Sequence, residues 1–407
     1  MTSLDPDPDP DPDPEDSTTP VPTWRPDVLP GFEQLTLPLQ PDEDEPEVVA
    51  TLVRRVRPAP EQPADPAPHR GMFRIGAENP QVARLWDELS ELGRRLHLHG
   101  TARSLPEPSP GTDAAEDGPP HGDVPDAGTD VLYVHGWLDY FFQTHLADFW
   151  ESLGVRFHAV DLRRYGRSLR EGQTPGYVRS LSVYDEDIEA ALSAIGHGRA
   201  DQPERRLVLM GHSTGGLTVS LWTARNQERV AALVLNSPWL EFQTRETVRK
   251  LMEPGIRVQS ALVPRRQLVN LDRGLYARSI SSRFDGEWDY DVAWRPDAGW
   301  PPTPAWLAAI FRGQDQVARG LGLEIPVLVL LSRRSTIPTR WSEDMKSTDS
   351  VLDVVGIARR VPDVGSLVTL VRFEGGLHDL TLSAEPVREQ VWRQMRRWFR
   401  GYVRDEP

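Results

Sequence analysis

Cysteine is absent from all 407 residues of the chain. Its absence excludes disulfide frameworks, thiolate nucleophiles and cysteine-based metal sites. Long apolar runs are lacking too, because the longest, such as residues 327–331, reach only the length of a strand. The first residues also lack the basic start and the apolar stretch of a secretory signal. We therefore expect a cytoplasmic protein without stable membrane insertion.

A basic surface is the next missing feature. The chain has 46 basic and 61 acidic residues, a formal net charge of −15. Residues 1–50 hold 14 of the acidic residues and one arginine, so the remainder of the chain is close to neutral. Since a nucleic-acid-binding face needs clustered lysine and arginine, we expect no nucleic acid as a partner.

The amino-terminal third has the composition of loops. Residues 1–27 are predicted to be a disordered acidic Asp-Pro tail, because alternating proline and carboxylate leave nothing apolar to bury. Residues 28–57 contain the strand-like runs FEQLTLPL and EVVATLVRR around a turn-forming PDEDE, which predicts a hairpin at a sheet edge. Residues 58–128 are predicted to be a proline-rich insertion. It contains one amphipathic helix, residues 79–99, with leucines at three- and four-residue steps.

From residue 129 onward, strand and helix patterns alternate. The strand-like runs are VLYVHG, FHAVDL, RLVLMGH, AALVLNS, PVLVLLS and LVTLVRFEGG. Their near-continuous apolar character predicts an α/β domain over residues 129–239 and 325–404, a mostly parallel sheet with helices on both faces. Residues 240–324 are far more than a crossover needs, and we predict an inserted, mainly helical cap subdomain there.

The stretch LVLMGHSTGG around Ser213 has the pattern of a nucleophile elbow. An apolar run ends in Gly211-His212-Ser213-Thr214-Gly215, and a helical pattern follows at once. In such an elbow the serine occupies a tight strand-to-helix turn, and the two glycines let the chain turn without collision. Because GxSxG alone is a weak signal, the prediction depends on the strand before it and the helix after it.

A serine nucleophile needs a base, and His378 is the one histidine of ten that follows Ser213. It lies directly after the last predicted strand, where a loop at the carboxyl edge of the sheet would reach the serine. The acid should follow the strand at residues 327–331. The candidates there, among which spacing does not choose, are Glu343, Asp344, Asp349 and Asp353.

Two backbone amides are predicted to form an oxyanion hole. One is the amide of Thr214, directly after the nucleophile, and the other is that of Trp137, after the strand that ends at His135-Gly136. We interpret His135 itself as structural. Acyl transfer of this kind requires no metal and no organic cofactor, and neither is predicted.

Several segments together resemble the monoacylglycerol lipase, lysophospholipase and serine-aminopeptidase-like branch of the α/β-hydrolases, in its actinobacterial form. They are VHGWLDY, HAVDLRRYGRSLR, YDEDIEAAL, LMGHSTGGL, LVLNSPWL and GGLHDLTLS. The resemblance implies an α/β-hydrolase fold with a cap. It also implies Asp349 as the acid, because residues 349–353 match the D-x-hydrophobic-x-[D/P] stretch of that branch. Asp353 and Asp344 remain the alternatives.

The predicted function is hydrolysis of a small, hydrophobic carboxylic ester through an acyl-enzyme intermediate. One alternative is a peptidase or amidase with the same three catalytic residues. A second alternative is a non-catalytic binding protein that has kept the hydrolase fold.

Arg163, Arg164 and Arg167 are expected on a surface loop. The tryptophans of residues 240–324 would either line an acyl pocket or form the cap's own core.

Overall fold

The protein is described by a computed structural model that covers residues 23–42, 45, 47–56, 128–199, 204–242, 246–269, 274–336 and 340–404. Most of the predicted acidic tail and the predicted helix at residues 79–99 lie outside these ranges. Among the described residues, no helix combines the length and apolar character needed to cross a bilayer.

Nine strands of the described residues form one sheet, in the order β1-β2-β3-β5-β4-β6-β7-β8-β9. The strands β5, β4, β6, β7, β8 and β9 run parallel to one another, and β1, β2 and β3 are antiparallel additions at one side. Their bounds are Arg25–Pro26, Phe32–Pro38, Val49–Arg55, Thr129–Val134, Arg156–Asp161, Arg206–His212, Ala232–Asn236, Val327–Ser332 and Val368–Phe373 for β1 to β9.

Eight α-helices of the described residues connect or cover these strands. They are α1 (Thr144–Ser152), α2 (Tyr184–Ala194), α3 (Thr214–Arg225), α4 (Glu246–Leu262), α5 (Leu275–Ile280), α6 (Pro304–Ala318), α7 (Val354–Arg360) and α8 (Glu385–Phe399). Short 3-10 turns separate some of them.

Side chains of the central strands lie alternately in two apolar cores, one on each face of the sheet. Leu132 and Val134 of β4 pack with α2, α3 and α6, whereas Val131 and Tyr133 pack with α1 and α8. Because successive side chains of a strand point to opposite faces, a buried parallel sheet reads as a continuous apolar run. The predicted mostly parallel sheet with helices on both faces is therefore confirmed.

The folded body begins earlier than residue 28, the boundary that the composition suggested. Arg25–Pro26 pairs with β2 as β1, and the carboxylate of Asp27 is completely buried. It accepts hydrogen bonds from Nε and Nη2 of Arg167, at 2.6 and 2.7 Å. A residue of the predicted tail is thus part of a buried ion pair.

Arg163, Arg164 and Arg167 are not on the surface, which corrects the expectation for that loop. All three are buried, because each lies between carboxylates that compensate its charge. Arg163 binds Asp187 and Glu186, Arg164 binds Asp42 and Glu45, and Arg167 binds Asp27 and Asp161. The three ion-pair sets attach the amino-terminal strands and α2 to the end of β5.

Between β7 and β8 the described chain contains α4, α5 and α6. The helix α6 starts at Pro304 behind a Thr303 cap and packs on α3, where Gly313 lies against Leu217 and Leu221. Its residues Ile310 and Phe311 belong to the main apolar core. Part of the segment predicted as a cap therefore contributes a helix to the apolar core on one face of the sheet.

Candidate active site

Ser213 stands between β6 and α3 with a backbone conformation that L residues rarely adopt. Its φ is 53° and its ψ is −116°. Three backbone hydrogen bonds hold it there. Its N–H donates to the carbonyl of Asn236 at 3.0 Å, and its own carbonyl accepts from the N–H groups of Trp239 at 3.0 Å and Leu217 at 3.2 Å. Strain of this kind persists only where the surrounding structure over-determines it, and it lifts the side chain above the sheet edge.

Gly211 and Gly215 flank this turn, and neither position has room for a side chain. A Cβ on Gly215 would lie 2.2 Å from the carbonyl oxygen of His135. A Cβ on Gly211 would lie 2.6 Å from the carbonyl oxygen of Gly215. The backbone of α3 therefore approaches β4 and β6 at a distance that requires glycine.

His378 lies in the loop after β9, and the structure brings it next to Asp349. Its Nδ1 is 2.9 Å from Oδ2 of Asp349, and both side chains are buried. The other oxygen of Asp349 accepts the N–H groups of Val351 and Leu352, each at 2.8 Å. These bonds hold the carboxylate in one orientation. With Nδ1 engaged, Nε2 is the ring nitrogen that remains for a proton on the serine.

The other acidic candidates have different partners. Asp353 caps α7 by accepting the N–H of Val355 at 3.0 Å. Asp344 and Glu343 are exposed on a short 3-10 turn, and Glu343 pairs with Lys346. Of the four carboxylates that sequence spacing left open, the structure brings Asp349 to His378.

The two predicted oxyanion amides flank Ser213. Among the described residues, neither the N–H of Trp137 nor that of Thr214 has an acceptor. The loop that carries Trp137 passes close to the nucleophile, because a Cβ on Gly136 would lie 3.1 Å from Cβ of Ser213. His135 holds this loop. Its Nδ1 is 2.7 Å from the carbonyl of Gly136, and its Nε2 accepts the N–H of Leu162, so its role is structural.

A cavity of about 650 Å³ opens over Ser213 and His378. Its lining is mainly apolar, and it is built from the loops after β4 and β8 and from the segment between β7 and β8. Its larger apolar side chains are Trp137, Leu138, Trp239, Phe242, Met252, Ile256, Leu268, Val269, Leu275, Trp300, Trp306, Leu307, Val351 and Leu352. Asp139, His212, Tyr276, Arg295 and Asp297 give one part of the wall a polar character.

The tryptophans of the 240–324 segment divide between the two predicted roles. Trp300 and Trp306 line the cavity, and the ring of Trp306 lies 3.8 Å from that of Trp137. Trp288 and Trp294 instead pack in a separate apolar cluster with Tyr140 and neighbouring rings. The sequence offered no pattern that would separate the two pairs.

Sequence reasoning missed a buried polar cluster behind the nucleophile. Oδ1 of Asp139 accepts Nε of Arg295 at 3.1 Å, and Oδ1 of Asp379 accepts Nδ2 of Asn236 at 2.7 Å. Between them lies His212, the residue before Ser213, which the elbow motif treats as variable. Ligand-type atoms of Asp139, His212 and Asp379 all lie within 4.8 Å of one another.

Burial and neighbouring charges shift the pKa values of this cluster in opposite directions. Burial raises the pKa of Asp139, but His212 and Arg295 outweigh it, so that this pKa lies below its usual range. Burial lowers the pKa of His212, and the carboxylates of Asp379 and Asp139 more than reverse that shift. Burial and the charge of Asp379 raise the pKa of Tyr276 well above its ordinary value, so its hydroxyl stays protonated.

A family model described as serine aminopeptidase, S33, matches residues 126–382, more than half of the chain. The chain belongs to this family. Together with the parallel sheet, membership confirms the predicted α/β-hydrolase fold and the resemblance to its lipase and aminopeptidase branch.

One curated relative of this family member is a monoacylglycerol lipase of Mycolicibacterium smegmatis. The two sequences are 28% identical over 149 residues, which make up 36% of this chain. The chain thus spans about half, 50%, of the length of that relative. Among solved structures, a soluble variant of Saccharomyces cerevisiae monoglyceride lipase matches with a TM-score of 0.49 and 17% identity over 69% of this chain and 90% of its own. The monoacylglycerol lipase of Paleococcus ferrophilus matches with a TM-score of 0.49 and 18% identity, over 68% of this chain and 97% of its own.

Proposed function

We propose that the protein is a serine hydrolase that cleaves carboxylic esters with an apolar acyl group. The observation that carries this proposal is the convergence of Ser213, the His378–Asp349 pair and an apolar cavity at one edge of the sheet. A buried serine and a carboxylate-held histidine that line one cavity are the groups that nucleophilic acyl transfer requires.

In the proposed reaction, Nε2 of His378 takes the proton of Ser213 while its oxygen attacks the ester carbonyl. The amides of Trp137 and Thr214 donate to the resulting oxyanion, and Asp349 stabilises the imidazolium. His378 then protonates the departing alcohol, which leaves the acyl group on Ser213. Water, deprotonated by His378, then attacks the acyl carbon. His378 returns that proton to the serine oxygen as it leaves, which releases the carboxylic acid and restores Ser213.

The lining of the cavity supports an ester with a hydrophobic acyl group. Aromatic and aliphatic side chains cover most of its wall, and burial of an acyl chain there would contribute roughly 0.8 kcal/mol for each methylene. The similarity to a monoacylglycerol lipase agrees with this substrate class. The substrate we propose is a small ester of a medium or long acyl chain, with no cofactor.

The alternative is an aminopeptidase or amidase, the activity after which the family is described. An aminopeptidase needs a carboxylate to hold the substrate's ammonium group. Among the described residues that line the cavity, Asp139 is paired with Arg295 and Asp297 with Arg283. Because both carboxylates are already compensated, the lining favours a neutral ester over an amine.

The experiment compares labelling by a fluorophosphonate probe in the wild type and in Ser213→Ala. We expect labelling to vanish in the variant and turnover of p-nitrophenyl butyrate to fall by a factor of about 10⁴ or more. The p-nitroanilide of the same acyl group then separates the two activities. Faster turnover of the anilide would favour the amidase, and a folded wild type without labelling or turnover would favour a binding protein.

A further inference from the structure

His212 is buried directly before the nucleophile, yet neither of its ring nitrogens has a hydrogen-bond partner among the described residues. Its Nδ1 lies 3.6 Å from Oδ2 of Asp139, within ion-pair distance. Its ring centroid lies 4.9 Å from that of His378. A buried polar group without a partner costs free energy unless it has a function or a charge to balance.

Without a proton on His212, the buried charges around this residue do not sum to zero. Asp139 and Asp379 are both buried, at 3% and 1% exposure, and Arg295 compensates Asp139. The partners of Asp379 are neutral donors, namely Asn236, Gln143 and Thr381. The cluster therefore holds one excess negative charge. Since an isolated charge is strongly disfavoured in a buried site, a proton on His212 is the nearest source of compensation.

A metal ion is the other candidate for this position, because the three side chains are metal-ligand types. However, Oδ1 of Asp379 already accepts three hydrogen bonds, and Oδ1 of Asp139 faces the guanidinium of Arg295. A divalent cation would have to sit beside that guanidinium and would overcompensate one negative charge. A single proton on His212 compensates the one negative charge. Its repulsion with the guanidinium of Arg295 is smaller than that of a divalent cation.

We propose that His212 is a protonated positioning residue whose ion pair with Asp139 ties the Trp137 loop to the nucleophile elbow. The contact is close, because a Cβ on Gly136 would lie 3.1 Å from Nδ1 of His212 and from Cβ of Ser213. The same proton leaves the cluster without net charge beside His378. His212 thus aligns one oxyanion amide with the serine and keeps the surroundings of the base neutral.

This inference rests on the proposed function, and it predicts a shift in the pH profile. His212→Asn removes the positive charge and leaves one negative charge near His378. That charge stabilises the His378 imidazolium, so the acid limb of kcat/KM should move upward by roughly one pH unit. A residue that is only structural would lower the rate at every pH without moving the limb.

The profile would be measured with p-nitrophenyl butyrate between about pH 5 and pH 9 for the wild type, His212→Asn and the double variant D139N/H212N. The double variant removes one charge of each sign, so its acid limb should return toward that of the wild type. The other ionisable groups around His212 stay unchanged in every variant: His135 from the β4 end, Arg295 from the 240–324 segment, and His378 and Asp379 from the loop after β9. A single variant whose limb does not move, or a double variant whose limb does not return, would overturn the proposal.

A second measurement separates this inference from the proposed function, because it needs no turnover. In Ser213→Ala, a long-range ¹H–¹⁵N spectrum should show one imidazole that keeps both ring nitrogens protonated at a pH where an ordinary histidine has lost its proton. That signal should be missing when His212→Asn, or His212→Gln if the first variant does not fold, is added. A His212 that is neutral below the pH at which an ordinary histidine loses its proton would sink the proposal, as would loss of wild-type activity on dialysis against EDTA.

Discussion

Asp349 and Asp353 lie four residues apart, yet their carboxylates have different surroundings. Asp349 is buried against His378, and two backbone N–H groups hold its second oxygen. Asp353 is partly exposed and caps a helix. At the residue scale, therefore, the candidate acid is distinguished by its hydrogen-bond partners, which residue type does not reveal.

We expect Asp349→Asn to lower kcat by on the order of 10³–10⁴, because the amide neither fixes the working tautomer of His378 nor stabilises its imidazolium. The measurement is turnover of p-nitrophenyl butyrate by folded protein. Asp353→Asn and Asp344→Asn are the matched controls and should retain nearly full activity. A comparable loss in Asp353→Asn, with Asp349→Asn active, would reassign the acid.

At the scale of elements, the ends of strands determine the site. Ser213 follows β6, the Trp137 loop follows β4, the Asp349 loop follows β8 and His378 follows β9. Because these strands are parallel neighbours or lie one strand apart, their carboxyl ends meet at a single edge of the sheet. Alternation of strand and helix predicts this edge from sequence, and the elbow motif and the lone downstream histidine predict Ser213 and His378 as its candidate residues.

The antiparallel strands β1 to β3 are attached to this sheet partly by buried ion pairs. Asp27 lies next to β1 and binds Arg167, whose side chain is 1% exposed. We expect Asp27→Ala to lower the free energy of unfolding by about 3 kcal/mol, since Arg167 keeps only Asp161 as a charged partner.

Urea denaturation of the purified variant would measure this loss. Asp148→Ala is the control, because its pair with Arg55 is exposed and should contribute less than about 1 kcal/mol. An Asp27→Ala variant as stable as this control would mean that the amino-terminal strands are held by other contacts.

At the scale of the whole molecule, the cavity belongs to no single element. Leu268 and Trp300 come from the segment between β7 and β8, and Trp137 comes from the loop after β4. The shape of this space decides which acyl chains enter, since a hydrophobic pocket discriminates by fit.

We expect Leu268→Trp to reduce kcat/KM for p-nitrophenyl octanoate about tenfold more than for the butyrate, because the larger ring fills part of the 650 Å³ cavity. Val258→Trp is the control, since Val258 is 57% exposed and does not line the cavity. An unchanged ratio of the two esters in Leu268→Trp would place the acyl chain elsewhere.

The sequence by itself determined the elements and the order of the candidate residues along the chain. Apolar runs predict the central strands, and the elbow glycines and the lone downstream histidine are local signals, whereas α6 lay within the segment predicted as a cap. The boundary of the tail was wrong, because the partner of Asp27 lies 140 residues away.

Only the tertiary structure decided which distant side chains meet. Arg295 reaches Asp139 across 156 residues, and Asn236 reaches Asp379 across 143. No periodicity encodes such a pairing, because it depends on how the segment between β7 and β8 packs over the sheet edge. For the same physical reason, the burial of three arginines and the charge placed beside His378 could be read only from the folded chain.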